Sequence, residues 1–260
     1  MVQQDLSGIS FSKTAGSSIS SPEIMGFEDI VEDLDKLKDP EKARVLSRFF
    51  KTGKGEYGEG DIFLGIPVPL QRKVARKYPG LSLEDAQGLL SSKIHEHRLV
   101  ALLILIFKYR RSDGKGKSEI FDFYLKNTSG INNWDLVDLS AQHIIGDYLL
   151  MSDRSLLQKL AQSKNFWERR IAIMSTFAFI RNQQFEDTLR IAAMLVHDKH
   201  DLIHKAVGWM LREVGKRDGE QLERFLKKYS GVMPRTMLRY SIERFDEDKR
   251  KAYLKQPVIV

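Results

Sequence analysis

The sequence predicts an all-α protein built as a curved solenoid of stacked helix pairs, and three observations predict it. Apolar residues recur at three- and four-residue spacing almost everywhere after Pro22, the period of a helix face. No stretch sustains the period-two alternation with Asn-Gly or Asp-Gly turns that marks hairpins. A six-residue block also recurs: Glu96 to Ala101, Asn133 to Asp138, Glu168 to Ile173 and Ile203 to Gly208, with third positions 37, 35 and 35 residues apart. Residues Thr236 to Tyr240 continue it weakly. A helix pair that cannot bury its apolar face alone stacks on copies of itself, with the second helix of each pair lining the concave side.

Taken in chain order, helices are expected over 24–38 and 41–51, parted by Pro40. Gly53, Gly55, Gly58 and Gly60 break any helix between 52 and 61. The next helix, 69–78, stops at Pro79, and 83–92 follows. Helix 95–110 holds the longest apolar run, nine residues from Leu99 to Phe107, about half of the roughly 20 that span a bilayer. Periodicity then places helices over 117–126, 133–151, 153–163, 166–181, 184–197, 199–217 and 219–229, with Pro234 opening 234–245 before a last helix, 246–255. Residues 1–22 are expected to form a disordered Ser-rich tail, 23–255 one domain, and 256–260 a short C-terminal tail.

Composition narrows the function classes. There is no Cys, which excludes disulfides, thiolate nucleophiles, Cys-ligated zinc and iron–sulfur clusters and fits a reducing compartment. Residues 1–25 carry seven Ser, one Lys and no continuous apolar core, so they do not read as a secretory signal, and a cytoplasmic location is expected. Lys and Arg number 42 against 35 acids, a net charge of +7. Residues 23–40 carry seven acids and two Lys, whereas 41–80 carry nine bases against four acids and 201–260 fourteen against nine. Folding that joins the two basic regions makes a polyanion-binding face; otherwise they are solvated helix surfaces.

The repeat register singles out one carboxylate. Where the other blocks place Ala101, Ile173 and Gly208, the second places Asp138, so a semi-buried acid is expected there. It is paired internally, with a partner such as Arg170 or His143, protonated, or retained for function. The third positions Arg170 and Lys205 fall on adjacent repeats, close enough to suggest an anion between them. Trp134 and Trp209 lie on the turns that carry Asp138 and Lys205 and serve either as core or as an aromatic wall for sugars or bases. His197, His200 and His204 share a helix face, but no HExxH occurs and no metal is expected. The Gly53–Asp61 segment lacks the order of a phosphate-binding loop, and the usual enzyme motifs are absent.

Several blocks resemble, in order, those of the AlkD-type alkylpurine DNA glycosylases, which are built from HEAT-like repeats. They are Phe63-Leu64-Gly65-Ile66-Pro67-Val68-Pro69 with Arg72, His95 to Arg98, Asn133 to Asp138, Trp167 to Arg170, and Lys205 to Glu213, spanning roughly residues 27 to 250. The Trp-Asp-x-Val-Asp and Lys-Ala-x-Gly-Trp-x-Leu-Arg-Glu blocks are the specific ones. The resemblance implies a basic concave groove, Asp138 as the catalytic acid, Arg170 as the phosphate contact, and Trp134 and Trp209 as aromatic walls. Lys205, Arg212 and Tyr57 are further DNA-contact candidates, although the segment around Tyr57 matches the family only across a gap.

The implied activity is excision of cationic N3- and N7-alkylated purines from double-stranded DNA during base excision repair, without a base-flipping pocket. No small-molecule cofactor, metal or membrane is implied, and a monomer is expected. Two other readings compete: a non-catalytic duplex-DNA-binding protein of HEAT-like repeats, and a helical-repeat scaffold for an acidic protein.

Overall fold

A computed structural model describes residues 26–255; the expected tails, 1–22 and 256–260, lie outside the described residues. Among the described residues there is no β-strand, only an isolated parallel bridge between Ile62 and Ile94. The helices are α1 (Phe27–Asp35), α2 (Pro40–Phe49), α3 (Val68–Ala75), α4 (Leu83–Leu90), α5 (His95–Arg111), α6 (Gly114–Lys126), α7 (Trp134–Ala141), α8 (Asp147–Leu149), α9 (Ser155–Ala161), α10 (Phe166–Ser175), α11 (Phe177–Arg181), α12 (Glu186–Met194), α13 (Asp201–Gly215), α14 (Gly219–Tyr229), α15 (Arg235–Ser241) and α16 (Glu247–Lys255). None is long and apolar enough to cross a membrane.

Side chains punctuate the chain locally. Asp39, ahead of Pro40 at the first position of α2, accepts from the amides of Glu41 and Lys42, which otherwise lack intrahelical partners. Ser82, Asp113, Asn165 and Asp218 cap α4, α6, α10 and α14 in the same way. These caps set helix starts that apolar spacing leaves a few residues loose.

Helices α3, α5, α7, α10, α13 and α15 pack on one another in succession, and α4, α6, α9, α12 and α14 flank them. This is the predicted solenoid: an inner row whose N-terminal turns stand side by side. The core runs without interruption from Ile30 to Ile242. Helix α5 is buried on nearly every side, which is why its apolar run covers the whole circumference rather than one stripe.

Two expected helices are interrupted. The helix expected over 133–151 changes to π geometry at Gln142–Gly146 before resuming as α8. The one expected over 166–181 breaks at Thr176, whose hydroxyl donates to the Ile173 carbonyl at 2.7 Å. Gly146 lies at the first irregularity: a Cβ there would stand 2.2 Å from the Ser175 carbonyl oxygen and 2.9 Å from the Ala178 Cβ. The bare glycine lets the backbones of adjacent repeats touch.

Gly146→Ala should therefore destabilise the protein by about 1–3 kcal/mol through overpacking, despite the better helix propensity of Ala. Gly219→Ala, where a Cβ meets nothing within 4 Å, should be neutral or slightly stabilising. Thermal or urea unfolding of the two variants checks the opposite signs.

Candidate functional site

A buried polar knot fixes the start of α7. His95, only 2% exposed, lies between two carboxylates, with Nδ1 3.2 Å from Asp61 and Nε2 2.8 Å from Asp135. Asp61 also receives Arg98 at 2.7 Å and the Asn133 amide at 3.0 Å. Burial opposes charge on His95, but Asp135 and then Asp61 outweigh it and raise the imidazole to about 9. Both ring N–H groups therefore donate. Next to it the buried Glu96 carboxylate accepts the amides of Leu64, Gly65 and Ile66. Gly65, at φ +87°, lies against the Asp39 carbonyl, where a Cβ would stand 2.2 Å from that oxygen. The loop after α2 is thus stapled to the head of α5.

That staple orients an aromatic stack. His95 lies on Phe63 at 4.5 Å, Phe63 on Phe50 at 4.9 Å, and Phe50 on Trp134 at 5.1 Å with rings 12° from parallel. Trp134 presents its other side to a cleft of about 660 Å³ bounded by α2, the following loop, α7, α10, α13 and α15. Phe49, Tyr57, Trp134 and Trp209 supply aromatic walls, and Lys51, Lys199 and Lys205 supply cations. The Tyr57 ring meets Trp167 edge-on at 6.1 Å. Tyr57 thereby joins the loop after α2 to the cleft wall.

At the floor, Arg170 grips Asp138 with both prongs, Nε to Oδ1 at 2.9 Å and Nη2 to Oδ2 at 2.8 Å. Its remaining prong donates to the Leu202 carbonyl. The two side chains are 5% and 12% exposed. Burial pushes the Asp138 carboxyl above its ordinary range while Arg170 pulls it back, and the parallel two-bond geometry is that of a carboxylate with a guanidinium. Arg170 lines the cleft; Asp138 lies directly behind it. Of the two internal partners considered from the sequence, the structure selects Arg170.

The remaining candidates divide. Trp134 and Trp209 are half-buried in the cleft wall, whereas Trp167 is buried. Lys205 pairs with Asp201 at 2.7 Å, which raises its ammonium above the ordinary value. Arg170 and Lys205 thus each have a carboxylate of their own, Asp138 and Asp201. Arg212 reaches Glu243, in the turn after α15, and does not line the cleft. Arg98, at the equivalent repeat position, lines a separate polar cleft with Lys93 and Asn132. His200 stacks on Phe166 at 3.9 Å and accepts from the Leu202 amide. Among the described residues no cluster of three acids or histidines could hold a metal.

Sequence reasoning missed Phe49, Lys199 and Tyr240. Phe49 is 62% exposed on α2, and helical spacing alone does not separate an apolar residue left in solvent from one in the core.

The sequence profile described as DNA alkylation repair enzyme matches residues 30–245. The chain belongs to the DNA alkylation repair enzyme family. Among solved structures it is similar to a predicted DNA alkylation repair enzyme from Enterococcus faecalis, with a TM-score of 0.61 at 18% identity over 81% of this chain and 97% of that one. AlkD2 from Streptococcus mutans aligns with a TM-score of 0.49 at 17% identity, covering 85% and 99% of the two chains. No curated protein matches. The structural likeness shows a shared fold, and the profile match shows the repair family.

For this family member the His95 knot predicts a pH dependence of stability. The folded pKa of about 9 lies above the ordinary 6.5, so the stabilisation is complete below about pH 6.5 and is lost as pH rises through 9. The thermal midpoint should fall between pH 7 and 9.5. In His95→Asn that part of the decline should vanish, on a lower overall stability, in melts across the same range.

Proposed function

We propose that the protein is a DNA glycosylase that releases cationic N3- and N7-alkylated purines from duplex DNA, acting as a monomer in the cytoplasm. The observation that carries this reading is the Asp138–Arg170 pair at the floor of an aromatic, cation-rimmed cleft. A cationic alkylpurine needs no protonation to leave. As the N-glycosidic bond breaks, its electron pair neutralises the base and positive charge develops on the sugar. A carboxylate fixed beside that sugar stabilises the charge without reorganising, while the faces of Trp134 and Trp209 contact the sugar. Water then adds at the sugar carbon and gives up a proton.

Arg170 has a second part in this scheme. A backbone phosphate entering beside Lys205, Lys199 and Lys51 offers the guanidinium another anion, and movement toward it uncovers the Asp138 oxygens. Tyr57 closes the cleft on the side of α2. The same cover supports a second reading, a duplex-DNA-binding protein without excision, in which Arg170 never leaves Asp138.

Release of 7-methylguanine from a methylated duplex separates the two. Wild type should release it, and Asp138→Asn should lower the rate by roughly 10²–10³-fold while binding unmodified duplex equally. Asn retains one acceptor for Arg170, so a loss of about 1–3 kcal/mol in unfolding free energy is expected with the fold intact. Salt-sensitive duplex binding without release by wild type would establish the second reading.

A further inference from the structure

The groove carries a second cationic cluster that the cleft does not use. His143 lies five residues beyond Asp138 on the same helical run, about 7 Å along its axis at 1.5 Å per residue. Its Nδ1 accepts from Arg110 Nη2 at 3.2 Å. Arg181 and Arg72 also act on the imidazole; burial first, then Arg110, Arg181 and Arg72, lower it to about 4. The cluster draws on four places in the fold: α3 (Arg72), α5 (Arg110), the π segment (His143) and the end of α11 (Arg181).

None of the three arginines has a carboxylate partner among the described residues. The one acid that acts on His143, Asp147, receives the Tyr109 hydroxyl at 3.1 Å and Lys117 at 3.6 Å. This contrasts with the cleft, where Arg170 and Lys205 each have their own acid. Arg110 and Arg181 are exposed and Arg72 half-exposed. Arg181 is held in place, its guanidinium 4.5 Å from the centre of the Phe177 ring. Phe177 in turn lies 6.3 Å from Trp209, so the cluster adjoins the cleft wall.

We propose that Arg72, Arg110 and Arg181, gathered around His143, form a second anion site that grips a backbone phosphate of the same duplex beyond the cleft. Guanidinium forks match phosphate oxygens two at a time. Three guanidiniums without a carboxylate partner among the described residues, near a neutral imidazole, present charge that an anion would balance. The inference rests on the groove being a duplex site and does not require excision.

The test uses the full chain and an unmodified duplex. Arg110→Gln/Arg181→Gln should lower the slope of log affinity against log salt by about 1, the contribution of one lost phosphate contact. A remote pair on the flanking helix α14, Lys227→Gln/Lys228→Gln, should leave the slope unchanged. In wild type the His143 ring resonances should shift on adding duplex, and its pKa should rise from about 4 because the phosphate offsets the arginine charges. Duplex binding with an unchanged slope in the double variant, or with an unmoved His143, would overturn this inference and leave the proposed function standing. Absence of duplex binding by wild type would overturn both.

Discussion

One guanidinium holds the middle of the solenoid together. Arg170, on α10, grips Asp138 on α7 with two prongs and the Leu202 carbonyl on α13 with the third, so three successive inner helices meet on a single side chain. Taking two opposite charges out of water costs several kcal/mol, which their attraction offsets only when geometry is good and the remaining donors are satisfied. Both conditions are met here. Apolar residues of similar volume would stabilise the junction equally well, so stability alone does not explain why ions occupy it. An apolar triad could not release a charge toward a ligand.

The N-terminal knot solves a different problem. A loop broken by four glycines has little reason of its own to hold Tyr57 in the cleft wall. Its order is imposed from outside, by Glu96 accepting three loop amides and by Asp61 joining His95, Arg98 and Asn133. Burial works against charge on both partners of the His95–Asp61 contact, yet His95 is raised, by Asp135 and then Asp61, and Asp61 is lowered, by His95 and then Arg98. The same contacts seat Phe63, Phe50 and Trp134 in a stack, so the cleft wall and the loop that joins it share one foundation.

The helical architecture was legible because it follows from spacing: α5, α13 and α14 fall within two residues of where periodicity puts them. The register also exposed Asp138, since a carboxylate among Ala101, Ile173 and Gly208 breaks a pattern. Less legible were features that depend on backbone approach or distant pairing. The π segment and the break at Thr176 arise where neighbouring repeats touch at Gly146, which no local propensity encodes. Arg212 belongs to a block that resembles a DNA-contacting one, but its partner Glu243 is 31 residues away. Lys205 is neutralised by Asp201, one turn earlier; that pair follows the helical i,i+4 rule and was visible in the sequence.

The placement of paired and unpaired cations has a physical consequence for the groove. Around the cleft floor Arg170 and Lys205 are each matched by a carboxylate, so their net field is small and an approaching phosphate must compete for them. Around His143 three arginines have no acid of their own, and the field there is large, although salt screens it beyond about 10 Å. Under the proposed function a polyanion would gain much of its initial attraction away from the cleft floor, and contacts at the floor would form by exchange, one anion for another at Arg170. On that scheme affinity for any duplex and response to a particular nucleotide are carried by different residues, which would let the protein hold undamaged DNA without exposing Asp138 at every site.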